Sequence, residues 1–163
     1  VLDGATLLGS TEPRIFTPPL RELTPQTTYG FACISFAKDV LQVELDPWQE
    51  WLLIHGMECH ADGSFRFRKI VVLVARQNGK SMLSQVLSLF FLYVLGLRLV
   101  LGTAQDLDTA TSVWQGAVDL VMELDEDENP VRADLHDMVD KIVMVNGQKS
   151  LNLLPKAKGG TGG

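Results

Sequence analysis

The residues with the clearest chemistry in this chain are Gly79-Lys80-Ser81. They follow an apolar, β-branched run, Ile70-Val71-Val72-Leu73-Val74, and a short polar loop, Ala75-Arg76-Gln77-Asn78. A long apolar segment comes directly after them. Read as strand, loop and helix, this order suits a triphosphate. Backbone N–H groups of the loop and helix start would face phosphate oxygens, and Gly79 would let the backbone approach closely. Lys80 would set its ammonium between the outer two phosphates, and Ser81 would offer its hydroxyl to Mg²⁺. The competing reading is a surface turn with a solvated lysine. The usual pattern, G-x-x-x-x-G-K-[ST], has a glycine five positions before the second one, where this chain has Val74. The loop is therefore Ala75-x-x-x-Gly79-Lys80-Ser81 with Arg76 inside it. An arginine there would reach a γ-phosphate as a finger supplied in cis, or else pair with a nearby carboxylate.

Other residues could complete such a site. Gln49 carries an amide able to give and accept a hydrogen bond at an adenine edge, and Trp48 beside it could form an aromatic wall. Trp48 and Trp51 also have the spacing of a helix packing on its core, and that is the preferred reading for the pair. Thr103 and Gln105 follow an apolar run and are candidates for sensing a γ-phosphate, while Asp106 is equally suited to cap a helix. His55, Cys59 and His60 lie close in sequence, but no matching second pair of metal ligands accompanies them. Asp125-Glu126-Asp127-Glu128 reads as a solvated acidic loop.

The elements that must position these residues can be read in turn. Residues 1–26 hold four of the seven prolines and read as an extended arm. Thr28 to Leu41 has apolar residues at helical spacing (Phe31, Ile34, Ala37, Val40, Leu41). Asp46-Pro47 reads as a cap and first position of a helix running to about Glu58. Arg66–Val74 and Arg98–Thr103 read as strands buried on both faces, each followed by a helix, 80–96 and 106–124. That alternation predicts right-handed crossovers and a parallel sheet. Asn146-Gly147 between two short apolar runs predicts a hairpin, and the glycine-rich tail 156–163 reads as a loop. The apolar stretch Met82–Leu101 imitates a membrane span, but Ser84, Gln85, Ser88, Gly96 and Arg98 interrupt it, so a helix buried in protein is expected. The N-terminus lacks the basic-then-apolar order of a signal peptide.

The 163 residues suit one domain or most of one, and 46% hydrophobic with 21% charged residues is a globular composition. A net charge of −6 gives no overall basic field for coating nucleic acid. Two cysteines, Cys33 and Cys59, make no disulfide framework and fit a reducing compartment.

Three stretches together resemble one family. Leu45-Asp46-Pro47-Trp48-Gln49-Glu50-Trp51-Leu52-Leu53, then Ala75-Arg76-Gln77-Asn78-Gly79-Lys80-Ser81, then Gly102-Thr103-Ala104-Gln105-Asp106 look like the N-terminal ATPase of tailed-bacteriophage large terminases. Leu20-Arg21-Glu22-Leu23-Thr24-Pro25 and Tyr29-Gly30-Phe31 add to the likeness, which runs from about Thr17 to Gly163. The resemblance implies an α/β, RecA-like P-loop NTPase: three layers around a mostly parallel central sheet, incomplete at the C-terminus. It implies an arm over 1–26 and a partial ATPase domain over 27–163, with 27–65 as helical lead-in on the adenine side and 66–163 as core. ATP and Mg²⁺ would be the cofactors, Gln49 the adenine reader, Ala75 to Ser81 the phosphate loop, Arg76 and Lys80 the catalytic cations, and Ser81 the Mg²⁺ ligand. The partners implied are double-stranded viral DNA, a portal protein, a small terminase and further copies in a ring, in the host-cell cytoplasm and away from membranes. The family's strand ending in Asp-Glu has no counterpart after Ser150, and Asp125-Glu126 follows a helical segment. The expectation is a truncated terminase that binds nucleotide weakly and does not turn it over. A helicase-like translocase and a non-catalytic assembly fragment are the alternative readings.

Overall fold

The computed structural model describes residues 10–145 and 148–153, and the chain within it divides into two compact units. The first runs to Lys38 and resumes over Val43–Arg76; the second takes Asp39–Gln42 and the chain from Gln77 onward.

In the first unit, helix α1 (Gly30–Ser35) continues into a wider π turn, Phe36–Val40, whose last two residues are counted with the second unit. Helix α2 (Pro47–Gly56) begins as its sequence predicts, with extended Asp46 as N-cap and Pro47 in the first helical position. The two helices meet at Gly30, where an added Cβ would stand 2.5 Å from the Leu53 carbonyl oxygen and the Ile54 nitrogen. This close approach decides which face of α1 turns inward. Cys33, Phe36 and Ala37 are buried, whereas Phe31 and Ile34 of the expected stripe are only partly covered and Val40 is exposed. Leu45, Leu53, Met57 and Cys59 are the other buried apolar residues of this unit.

Beyond α2 the chain doubles back through short antiparallel bridges, Thr28 with Glu58 and Cys59 with Phe65. The tip is closed by the His60 N–H on the Ser64 carbonyl at 2.8 Å, with Gly63 in the left-handed region (φ 81°). Glu58 lies beneath this ribbon, 1% exposed. Its carboxylate accepts from the Leu20 N–H at 2.9 Å and from Arg66 Nη1 at 2.5 Å. Arg66 Nη1 also donates to the Pro18 carbonyl, and Arg21 Nη2 to that of Cys59. The proline-rich stretch is thus tied down at Pro18, Leu20 and Arg21. Burial pushes the Glu58 carboxyl up, but the Arg66 and Leu20 hydrogen bonds and the charges of Arg66 and Arg21 outweigh it and hold the group below its ordinary value.

In the second unit, helix α3 (Lys80–Leu89) runs into a π turn, Phe90–Val94, and stops at Gly96 (φ 66°). Helix α4 (Leu107–Met122) is capped by Asp106, which accepts from the Thr109 N–H at 2.7 Å and its hydroxyl at 3.0 Å. A short helix α5 (Ala133–His136) and an antiparallel hairpin, β1 (Val139–Val145) and β2 (Gln148–Leu153), complete it. The hairpin brackets Asn146-Gly147 as expected; those two residues, Leu154 and the tail 156–163 lie outside the described residues. Leu83, Val86, Leu89, Phe90 and Tyr93 form one buried stripe, and Ala117, Val118, Val121 and Leu135 are the buried residues of α4 and α5. Met82 and Val94 remain at the surface, so the apolar segment is covered along one side rather than all round. Among the described residues no helix is long and apolar enough to cross a membrane.

The expected three-layer α/β fold is not formed. Neither Arg66–Val74 nor Arg98–Thr103 is a strand, and the one strand pair among the described residues is the hairpin β1–β2. Val71 is 83% and Leu73 91% exposed, and Leu99 and Leu101 are similarly bare. The expectation came from composition: β-branched runs favour extended backbone. A parallel strand also needs neighbours on its edges and helices on both faces, and the described residues supply neither to these two runs. Among the described residues the chain is mainly helical, with isolated antiparallel bridges and one two-stranded hairpin.

Candidate phosphate-binding loop

The loop over Ala75–Ser81 leads from an exposed irregular segment into α3, and every one of its residues is exposed. Gln77 (φ 61°) and Gly79 (φ 69°) both have left-handed backbone. Gly79 adopts it without steric cost, whereas a residue with a Cβ costs about 1 kcal/mol there, so Gln77 holds modest strain. Gly79 is the N-cap of α3 and brings no capping side chain, and Lys80 and Ser81 are the first two helical residues. The first turn contains no acidic residue. The Gly79 carbonyl accepts from the Leu83 N–H at 3.1 Å, and the Ser84 hydroxyl returns to the Lys80 carbonyl at 3.0 Å. This end of α3 combines the partial positive charge of a helix N-terminus with a lysine in its first turn. Ser81 contributes one oxygen, which suits Mg²⁺ only in company with phosphate oxygens and water. The boundary between the two units falls inside the loop, with Ala75 and Arg76 in the first and Gln77 to Ser81 in the second.

Gln49 belongs to the first unit and is 2% exposed. Its Oε1 accepts from the Asp46 N–H at 2.8 Å, which makes it the third residue of a capping box that starts α2. Asp46-x-x-Gln49 is the sequence signature of that box, so this role was readable from the spacing. Trp51 stacks on His55 at 3.7 Å between ring centroids, and Phe16 meets Trp51 edge-on at 5.1 Å. That is the packing reading for Trp51. His55 Nδ1 contacts the Trp51 carbonyl oxygen at 2.8 Å, the Cys59 thiol points to the Met57 carbonyl, and His60 lies in an exposed turn. The His55 ring and the Cys59 thiol thus each turn to a different backbone carbonyl. Among the described residues no group of three or more His, Cys, Asp or Glu side chains is arranged to hold a metal ion.

Thr103 and Gln105 are exposed. Asp106 is a helix cap; its carboxyl is held below the ordinary value by the Thr109 N–H first, then by the Thr109 hydroxyl, with Gln105 adding a smaller contribution. The acidic stretch forms a turn in which Asp125 accepts from the N–H groups of Asp127 and Asn129, both at 2.9 Å.

Arg132 is a residue that sequence reading missed. It is 9% exposed and donates through Nε and Nη2 to the Leu41 carbonyl, at 3.0 and 2.7 Å. Its Nη1 reaches the Leu120 carbonyl at 2.7 Å and the Glu123 carboxylate at 2.5 Å. Leu120 is in the last turn of α4, whose carbonyls lack partners within the helix, so Arg132 caps that end from outside. A lone arginine after Pro130-Val131 carries no local pattern that announces this. No protein-family model, curated protein or solved structure matches the chain.

Proposed function

We propose that Ala75–Ser81 is a triphosphate-binding loop, and that the chain is the ATP-binding part of a viral DNA-packaging motor of the large-terminase type. The observation that carries the reading is the N-terminal end of α3. Gly79 turns the loop into the helix, Lys80 and Ser81 follow at once, and no first-turn carboxylate opposes an anion. The helix end contributes about half a positive charge and Lys80 a full one. Arg76 is the other cation in the loop sequence, the residue the family resemblance would assign to the outer phosphate. Ser81 would hold Mg²⁺ beside the phosphates, and that ion supplies neutralisation of their charge. The reading stands on the loop and the helix end, since the described residues form no central sheet behind them. The order of the three motif stretches, 45–53, 75–81 and 102–106, supports the packaging class. In that class the intact motor would track double-stranded DNA, assemble as a ring and engage a portal protein and a small terminase.

The test is calorimetry with ATP and Mg²⁺ on the unaltered chain and on Lys80→Ala. The lysine variant is expected to bind about tenfold or more weakly, with unchanged helical circular dichroism, because a charge-assisted contact to phosphate is lost. Equal heats from the two proteins would reject the nucleotide site.

A further inference from the structure

Helices α3 and α4 leave a groove of about 590 Å³ between them. It is lined by the apolar Met82, Leu120 and Met122, by Gly116 with the Gln85 amide against it, and by the acidic Asp119 and Glu123. The absence of a side chain at Gly116 makes room for the Gln85 amide between the two helices, since a Cβ there would run into it. Two unbranched thioethers make the apolar lining adaptable to different apolar side chains.

The exposed charges beside it are acidic, and the cation at its edge, Arg132, is buried and engaged by Glu123 and the Leu120 carbonyl. Asp119 is exposed and accepts a hydrogen bond from the Gln115 amide, a neutral donor that leaves its charge unbalanced. Glu123 is balanced by Arg132, but exposed Asp125, Glu126, Asp127 and Glu128 follow it immediately in the chain. The C-terminal end of α4 is capped by Arg132, so the net negative charge beside the groove comes from Asp119 and the stretch Asp125 to Glu128.

We propose that this groove docks an amphipathic helix of a partner protein, with apolar side chains against the apolar lining and Lys or Arg flanking them toward Asp119 and the acidic stretch. A channel between two helices receives a third through anchors spaced at i, i+3, i+4 and i+7. The charge selects the partner. Phosphate-bearing nucleic acid and anionic lipid would be repelled. A second copy related by a two-fold axis would bring these acidic residues against their own counterparts, at a net charge of −6 for each chain.

Fluorescence anisotropy on the full chain tests this with two labelled synthetic helices. One has leucines on one face flanked by lysines; the other has the same leucines flanked by glutamates. The lysine helix is expected to bind about tenfold or more tightly than its glutamate counterpart, and to weaken as salt rises toward about 0.5 M. Asp119→Lys and Met122→Ala, both surface changes checked by circular dichroism, should each weaken the lysine helix by about five- to tenfold. Equal binding of the two helices, or no effect of either variant, would overturn the proposal. So would self-association of the chain in sedimentation that Asp119→Lys abolishes, since the groove would then hold a second copy.

Discussion

Glu58 and Arg66 form an ion pair in which the carboxylate is almost fully covered. Its remaining acceptor capacity goes to the Leu20 N–H, so protonation would remove the partner of a cation and weaken the tie to the proline-rich stretch together. The folded carboxyl lies below its ordinary value. Its contribution is therefore complete above the unfolded-state value, about pH 4.3 for glutamate, and is lost as pH falls through the folded one. Urea unfolding of the unaltered chain should accordingly lose midpoint between about pH 5 and pH 3. Glu58→Gln should start lower at neutral pH and vary less across that window; parallel curves for the two proteins would remove Glu58 as the source. None of this was legible in the sequence. Leu20, Glu58 and Arg66 lie 38 and 8 positions apart and belong to no shared periodicity. Gln49 is the opposite case: its capping role follows from standing three residues after an N-cap aspartate.

Helix starts were the most readable elements, because their signals are local. Asp46-Pro47 and Asp106 begin α2 and α4 where the sequence puts them, and Asn146-Gly147 lies between β1 and β2. Which face of a helix turns inward depends on its neighbour, and for α1 the neighbour is α2, met at Gly30. Gly30→Ala would drive a methyl group into backbone atoms of α2, which cannot rotate away. A loss of about 1–3 kcal/mol is expected in chemical denaturation. Gly56→Ala is the matched control: its nearest obstacle is the flexible Ile70 Cδ1 at 3.2 Å, and a change within about 0.5 kcal/mol is expected. Similar losses at the two positions would mean that helix contact does not fix the glycine.

For the whole molecule, the two apolar runs read as central strands are the largest departure from the sequence reading. The runs have the right residues, but a sheet is a property of several segments at once, and one segment's composition does not name its partners. Ile70–Leu73 and Leu99–Leu101 present apolar side chains to solvent. Uncharged β-branched runs of this kind promote association between chains. Val71→Thr combined with Leu73→Lys should lower light scattering at high concentration while leaving the thermal midpoint nearly unchanged. A clear fall in that midpoint would show instead that the two side chains are packed. The Arg132 site bears on how the polypeptide can be divided. Leu41 takes two of the arginine's hydrogen bonds, yet it is separated in sequence from the rest of its unit by Val43–Arg76. The second unit is therefore discontinuous, and its architecture includes a four-residue loan from the N-terminal half. A polypeptide beginning at Gln77 would carry Arg132 with its guanidinium still directed inward and the acceptor for Nε and Nη2 left behind.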